Sequence, residues 1–267
     1  MECFACYSKN IARNGKYKSC QKYKCKDCGK QFSERSFSFF YRHRFPEKVI
    51  MDATLIAFFV SSRNASFLLL EMIHIKVSHQ SCYNWSKKFA KLVSKIKRQM
   101  NFSNIWHVDE KFIKVRGSKD PFAYLWVVID NKNTIITQHV SFARDIINAK
   151  IVLKKALDKA MKPPDIIVSD GLQAYKKACK ILGRKVKHVI AHFETKCVMH
   201  QGKIYYLSNN RIESLNSKIN LWHKKFRGFK KLETAGLFCN MFAYFYNYLR
   251  PRTIKHKIEP IKLTLKM

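Results

Sequence analysis

Apolar residues recur along the chain with first a helical, then a strand, then again a helical period. Behind Phe45-Pro46-Glu47, residues Val49, Ala53, Ile56, Ala57 and Val60 fall at helical spacing, and Pro46 and Glu47 suit a first helical turn. A short second helix is expected through Leu69, Leu70 and Ile73 with Ser66 as its cap. A third, capped by Ser78, is expected from His79 to about Lys97. From residue 101 the pattern turns to strands: Ile105–Val115, Ala123–Asp130 and Thr134–Phe142 are rich in β-branched and aromatic residues. Asp130-Asn131-Lys132-Asn133 reads as a hairpin turn between the last two. A helix from about Asp145 to Met161 ends at Pro163-Pro164. The strand Ile166–Val168, a helix from Gly171 to Leu182 and the strand Val186–Ile190 follow. Residues 192–208 read as irregular, and helices over 209–224 and Leu232–Tyr248 complete the pattern.

Three meandering strands followed by helix, strand, helix and strand describe an α/β mixed sheet covered by helices, the element order of the ribonuclease-H-like fold. The chain is expected to divide into a small ribbon at 1–36, a helical domain at 37–100, the α/β core at 101–250 and a basic tail at 251–267.

Charge adds a partner. The chain carries 52 Lys and Arg against 18 Asp and Glu, a net +34. Such a chain repels itself until a polyanion neutralises it, and nucleic acid is the first candidate. The longest apolar run, near Val49 to Val60, is broken by Asp52 and too short to span a bilayer, so no membrane association is expected. The N-terminus has no apolar leader, which points to a reducing cytoplasm, where a DNA partner would place the chain at the nucleoid. The nine cysteines are then metal ligands or free thiols before they are disulfides.

Cys3-x-x-Cys6 and Cys25-x-x-Cys28 have the spacing of a zinc ribbon, in which four thiolates complete one closed tetrahedral Zn²⁺ site. Gly29 suits the knuckle turn, where positive φ is cheap. Cys20 is a spare thiol. The three helices after the ribbon resemble a helix-turn-helix. In that arrangement His79, Gln80, Ser81 and Asn84 face base edges, while Lys87, Lys88 and Lys91 meet phosphates.

Three acids stand out among the 18. Asp109 lies inside the Ile105–Val115 strand, where a carboxylate is costly unless it is paired or binds a cation. Asp170 directly follows a later strand, and Glu213 lies in the first turn of a late helix. Strands and a helix can bring them to one sheet edge, where carboxylates hold two Mg²⁺ or Mn²⁺ ions for phosphodiester chemistry. Each also has a bland role: Asp109 as a surface strand residue, Asp170 as a helix cap, Glu213 as a partner of Lys218 or water. Arg211, Lys218, Lys224, Lys225, Arg227, Lys230 and Lys231 form a basic band around the third acid, suited to tracking phosphates. His107 and His192 are expected to be structural.

Trp106-His107-Val108-Asp109-Glu110-Lys111-Phe112-Ile113-Lys114-Val115-Arg116-Gly117 resembles the first-acid motif of insertion-sequence transposases of the DDE type. Ser169-Asp170-Gly171-Leu172-Gln173-Ala174-Tyr175 resembles their second. Asn209-Asn210-Arg211-Ile212-Glu213, with Phe226-Arg227-Gly228-Phe229-Lys230, resembles their third. The likeness covers most of residues 37–252, and a zinc ribbon ahead of a helix-turn-helix occurs in some such enzymes. It implies a retroviral-integrase-like core, Mg²⁺ dependence, recognition of terminal inverted repeats, cleavage and strand transfer, and a homo-oligomer on DNA, and it narrows the nucleic-acid partner to double-stranded DNA. Two departures stand. The chain between Asp170 and Glu213 is longer than is common in that family, which keeps Glu194 as a rival third acid. Asn220 stands where the family often has a basic residue, with Lys224 one turn further on the same face. The competing readings are a host nuclease of the same fold and a zinc-ribbon DNA-binding regulator with an inactive core.

Overall fold

The computed structural model describes residues 1–17, 20–33, 36, 38–41, 43–95, 101–116, 122–191, 194–225 and 228–248. The expected end of the third helix at Lys97, together with His192, Arg227 and the tail 251–267, lies outside them. The described residues form two compact units, one of 1–58 with 62–88, the other of 59–61 with the residues from 89 onward.

In the first unit β1 (Ile11–Tyr17), β2 (Cys20–Cys25) and β3 (Gln31–Ser33) form an antiparallel sheet in sequence order. Its core is slight: Cys3, Cys25 and Phe32, with Ile11 and Tyr23 against them. So little apolar burial does not order a segment of this length unaided. Three helices follow. α1 (Glu47–Phe59) begins where Pro46 predicts and buries Val49, Ile50, Ala53, Thr54, Ala57 and Phe58. α2 (Ser62–Ile73) starts earlier than expected. Ser66 therefore sits inside the helix and donates its hydroxyl to the Val77 carbonyl instead of capping. Ser78 does cap α3 (His79–Lys95): the Ser81 amide donates to its Oγ at 3.1 Å. α3 buries Cys82, Trp85, Phe89 and Ala90 at helical spacing.

The second unit opens with the antiparallel meander β4 (Ile105–Lys114), β5 (Phe122–Asp130) and β6 (Ile135–Ser141). Asp130 makes the β5–β6 turn. Fully buried, its carboxylate accepts the amides of Ser103 (3.0 Å), Lys132 (3.0 Å) and Thr134 (2.8 Å), which compensates its burial. α4 (Ile146–Ala160) is capped by Asp145, whose side chain accepts the Asn148 amide. Next come β7 (Ile166–Ser169), α5 (Gln173–Ala178) with a 3₁₀ turn at Cys179–Leu182, and β8 (Lys187–Ile190). β7 and β8 run parallel to β4, giving the sheet order β6-β5-β4-β7-β8. This is the ribonuclease-H-like order that the element sequence predicts. One face, with Trp106, Val108, Trp126, Val128, Ile136 and Ile167, packs on Ala149, Val152, Leu153 and Ala156 of α4 and on Ala174, Tyr175 and Ala178 of α5.

The expectation of an irregular 192–208 is corrected. β9 (Lys196–His200) and β10 (Lys203–Leu207) form a hairpin with a two-residue loop. Gln201 and Gly202 both have positive φ, 49° and 72°, as a loop matched to strand twist requires. Val198 and Leu207, with Tyr205, cover Ile105, Ile166, Val168 and Val189 on the other sheet face. α6 (Asn210–Lys225) and α7 (Leu232–Tyr248) follow. Asn247 closes α7 onto β6 through two 2.9 Å bonds to the Ile135 backbone.

Candidate active site

The parallel pairing of β4 with β7 ends at His107 and Val168, while β4 runs on beside β5 to Lys114. β7 turns away just past Ser169, and a notch opens there at the strand's C-terminal end. Asp109, Glu110 and Asp170 each put a carboxylate oxygen into it, all within 4.8 Å of one another. The Asp109 side chain accepts Asn216 Nδ2 of α6 at 2.7 Å. Burial, and then the charges of Glu110 and Asp170, push its carboxyl up to about 7.

Glu110 has a different environment. Its side chain is 3% exposed and takes Arg144 Nε at 2.8 Å, Arg144 Nη2, and Tyr175 OH at 2.5 Å. Burial and the Glu110 charge raise the Tyr175 phenol well above its ordinary range, so it stays a donor. Asp170 Oδ1 accepts the Leu172 amide at 3.0 Å ahead of α5, whose N-cap is Leu172, and its carboxylate belongs to the trio of oxygens at the notch.

Glu213 is exposed in the first turn of α6, outside the tight trio of oxygens, but its charge acts on Asp109. It shares a helix face with Asn216, the residue bonded to Asp109. Glu194 pairs instead with Lys196 at 3.0 Å with its side chain 79% exposed. Lys111, two residues beyond Asp109, also reaches α6: its ammonium donates to the Asn216 carbonyl at 2.9 Å and to Asn220 Oδ1. Burial lowers this lysine to about 8. His107 is buried and pushed down to about 4 by desolvation, a neutral structural side chain.

Sequence reasoning passed over Glu110, Lys111 and Arg144. Strand alternation sends Glu110 to the face opposite Asp109, and only the early end of β7 lets both reach one notch. Arg144 enters from the loop before α4, too far along the chain for any spacing to signal it.

In the ribbon, Cys3 and Cys28 sulfurs are 3.5 Å apart and those of Cys6 and Cys25 are 3.6 Å apart, with all four within 4.8 Å of one another. A tetrahedron of ~2.3 Å zinc–sulfur bonds has edges of about 3.8 Å, so the four thiols fit one zinc. Cys20 stands outside the group. On α3, His79, Gln80 and Asn84 are exposed and Ser81 half-exposed, with Gln80 Nε2 donating to Asn84 Oδ1 at 3.0 Å. Lys87 and Lys91 lie along the same helix. The exposed Lys88 ammonium donates to the Phe39 carbonyl and lies 3.3 Å from His43 Nε2, which leaves one of its three donors for the expected phosphate contact. In the basic band Arg211 and Lys224 are exposed, while Lys218 lies over the Tyr246 ring of α7, 5.8 Å from its centroid. The Lys225 side chain and Arg227 lie outside the described residues.

An oxygen-ligand notch at the end of a ribonuclease-H-like sheet defines the class: an enzyme that cuts phosphodiester bonds with divalent metal. Residues 103–251 match the DDE domain of transposases, and the chain belongs to that family. It is a metal-dependent enzyme of DNA strand cleavage and transfer. Among solved structures it is similar to the simian T-cell lymphotropic virus intasome in complex with PP2A regulatory subunit B56 gamma (15% identity, 71% of each chain, TM-score 0.42). The HTLV-2 integrase catalytic core domain in complex with magnesium is similar at 14% identity (58% of this chain, 93% of that one, TM-score 0.41). The catalytic core domain of BIV integrase is similar at 12% (56% and 87%, TM-score 0.37). No curated protein matches the sequence. Among the described residues no helix is long and apolar enough to cross a membrane.

Proposed function

We propose that Asp109, Asp170 and Glu213 hold two Mg²⁺ or Mn²⁺ ions, and that the chain cleaves DNA at the terminal inverted repeats of an insertion sequence and joins the freed 3′ ends to a target. The observation that carries this reading is the meeting of Asp109 and Asp170 beyond the end of β7, with α6 tied to Asp109 through Asn216. Three hard oxygen donors suit these ions, and ions so held activate an attacking hydroxyl and stabilise the leaving oxygen. The chain's own groups prepare the site. Asn216 fixes one oxygen of Asp109, the Leu172 amide fixes one of Asp170, and Arg144 with Tyr175 hold Glu110 at the back of the notch. Glu110 is a second reading for the third ligand, favoured by its place in the trio. Glu213 is preferred because the Glu110 oxygens already accept three donors.

Cys3, Cys6, Cys25 and Cys28 hold one structural zinc in this proposal. The ribbon and α3, through His79, Gln80, Ser81, Asn84, Lys87 and Lys91, recognise the repeats, and Arg211, Lys218 and Lys224 track phosphates beside the acids. Two ends must be brought together, so the working form on DNA is a homo-oligomer. Domains at 1–36, 37–100 and 101–250 remain the proposed division of labour.

The test is Mg²⁺-dependent nicking of supercoiled plasmid and strand transfer of end-bearing duplexes. Asp109→Asn, Asp170→Asn and Glu213→Gln should each lose at least about 1,000-fold while still binding DNA. Strand transfer surviving in Asp109→Asn would falsify the assignment. Loss in Glu110→Gln with full activity in Glu213→Gln would give the third place to Glu110. Equal cutting of DNA with and without the repeats would favour the host-nuclease reading.

A further inference from the structure

Strand alternation puts Lys111 on the same face of β4 as Asp109, toward α6. Its ammonium bonds α6 at two points one turn apart, the Asn216 carbonyl at 2.9 Å and Asn220 Oδ1. Asn216 in turn donates to Asp109 at 2.7 Å. Glu213, Asn216 and Asn220 share one face of α6, and none of them is positively charged. The Lys111 cation thus stands between the strand bearing the first acid and the helix bearing the third. Lys224 is a further turn along, beyond Asn220. An ammonium has three donors, and these two acceptors leave one hydrogen for another acceptor.

We propose that Lys111 is a positioning residue of the cleavage reaction. It docks α6 so that Glu213 faces Asp109 and Asp170, and it offers its remaining donor and its charge to a phosphate of the DNA strand lying at the notch. The inference rests on those three acids being the metal ligands. It assigns to β4 a charge that the α6 face lacks between Glu213 and Asn220, so moving that charge to position 220 of the helix should preserve function.

The experiment compares the full-length parent, Lys111→Met, and Lys111→Met combined with Asn220→Lys. Mn²⁺-dependent nicking of saturating supercoiled plasmid, salt dependence of duplex affinity and the melting midpoint are measured for each. Lys111→Met should slow nicking roughly 10- to 100-fold, as loss of one placed donor does. It should also lower the slope of log affinity against log salt by about one contact. The double variant should recover both, which a purely structural lysine would not allow. The proposal is overturned if Lys111→Met loses neither quantity, or if the double variant recovers neither. Failure of the underlying assignment is seen separately, because Asp109→Asn then nicks as the parent does. In that case the salt slopes of the same variants still decide whether Lys111 meets phosphate.

Discussion

At the scale of single residues, Asp109 carries a cost that a bound cation would remove. Its carboxyl sits at about 7 in the folded chain against 3.8 unperturbed, chiefly through burial. A carboxyl raised on folding holds its proton more tightly in the native state, so stability falls as pH rises from about 4 to 7 and is lowest above that. The shift sets an upper bound of about 4 kcal/mol on this cost. Metal-free Asp109→Asn should therefore melt above the parent at pH 8, and the gap should shrink by more than half at pH 5. Mg²⁺ should raise the midpoint of the parent at pH 8 and leave Asp109→Asn in place. An equal gap at both pH values would mean that the Asp109 charge is not the source. Asp130, buried more completely still, has three backbone amides donating to its carboxylate. A sequence shows two acids in strands; it does not show which has its amides.

At the scale of elements, the position of α6 depends on how the chain leaves it. Gly228 has φ of 91°, and a β-carbon there would stand 3.0 Å from the Lys114 carbonyl. That close approach lets the Phe229 amide donate to the same carbonyl at 2.8 Å and Phe229 accept the Arg116 amide at 2.5 Å. The end of α6 is thereby returned to β4, the strand of Asp109. Gly228→Ala should cost about 1–3 kcal/mol, from the positive φ and the displaced strand contact. It should lower nicking by more than the loss of folded protein explains; an unchanged midpoint by calorimetry would refute the clamp. The Arg227-Gly228-Phe229 run was visible in the sequence as a motif, but its cause, a backbone pairing with residues more than a hundred positions earlier, was not. The β9–β10 hairpin was hidden for another reason. Its turn is Gln201-Gly202 in place of the Asn-Gly or Asp-Gly that signals a two-residue loop, and its outer residues Met199, Ile204 and Tyr206 are exposed apolar side chains that blur the alternation.

At the scale of the whole chain, the two units are held together by different means. The second buries two faces of a five-stranded sheet, whereas the ribbon in the first has three buried core residues and four clustered thiols. Zinc held by these thiols would supply much of the ribbon's folding energy. One tightly bound zinc per chain is expected by elemental analysis. Chelation should open the segment before α1 to proteolysis while the sheet of the second unit keeps its melting transition. Full protection of residues 1–36 after complete zinc removal would show that the ribbon stands without it. The charge of +34 acts at this scale too, since it is spread along the chain and a polyanion would relieve its self-repulsion.

The sequence by itself determined the order of the core's strands and helices apart from the β9–β10 hairpin, the four zinc-spaced cysteines, the basic balance, and the three acids with their local motifs. These are properties of short stretches or of sums over the chain, and both survive without coordinates. Only the tertiary structure decided that β7 stops early enough to open a notch beside β4, that Glu110 enters it with Arg144 and Tyr175 attached, that Glu194 pairs with Lys196 on the hairpin, and that Lys111 answers Asn220. Each of these depends on where one strand ends relative to its neighbour and on side chains meeting across long separations. Chain entropy and packing settle such meetings for the molecule as a whole, and no window of residues contains them.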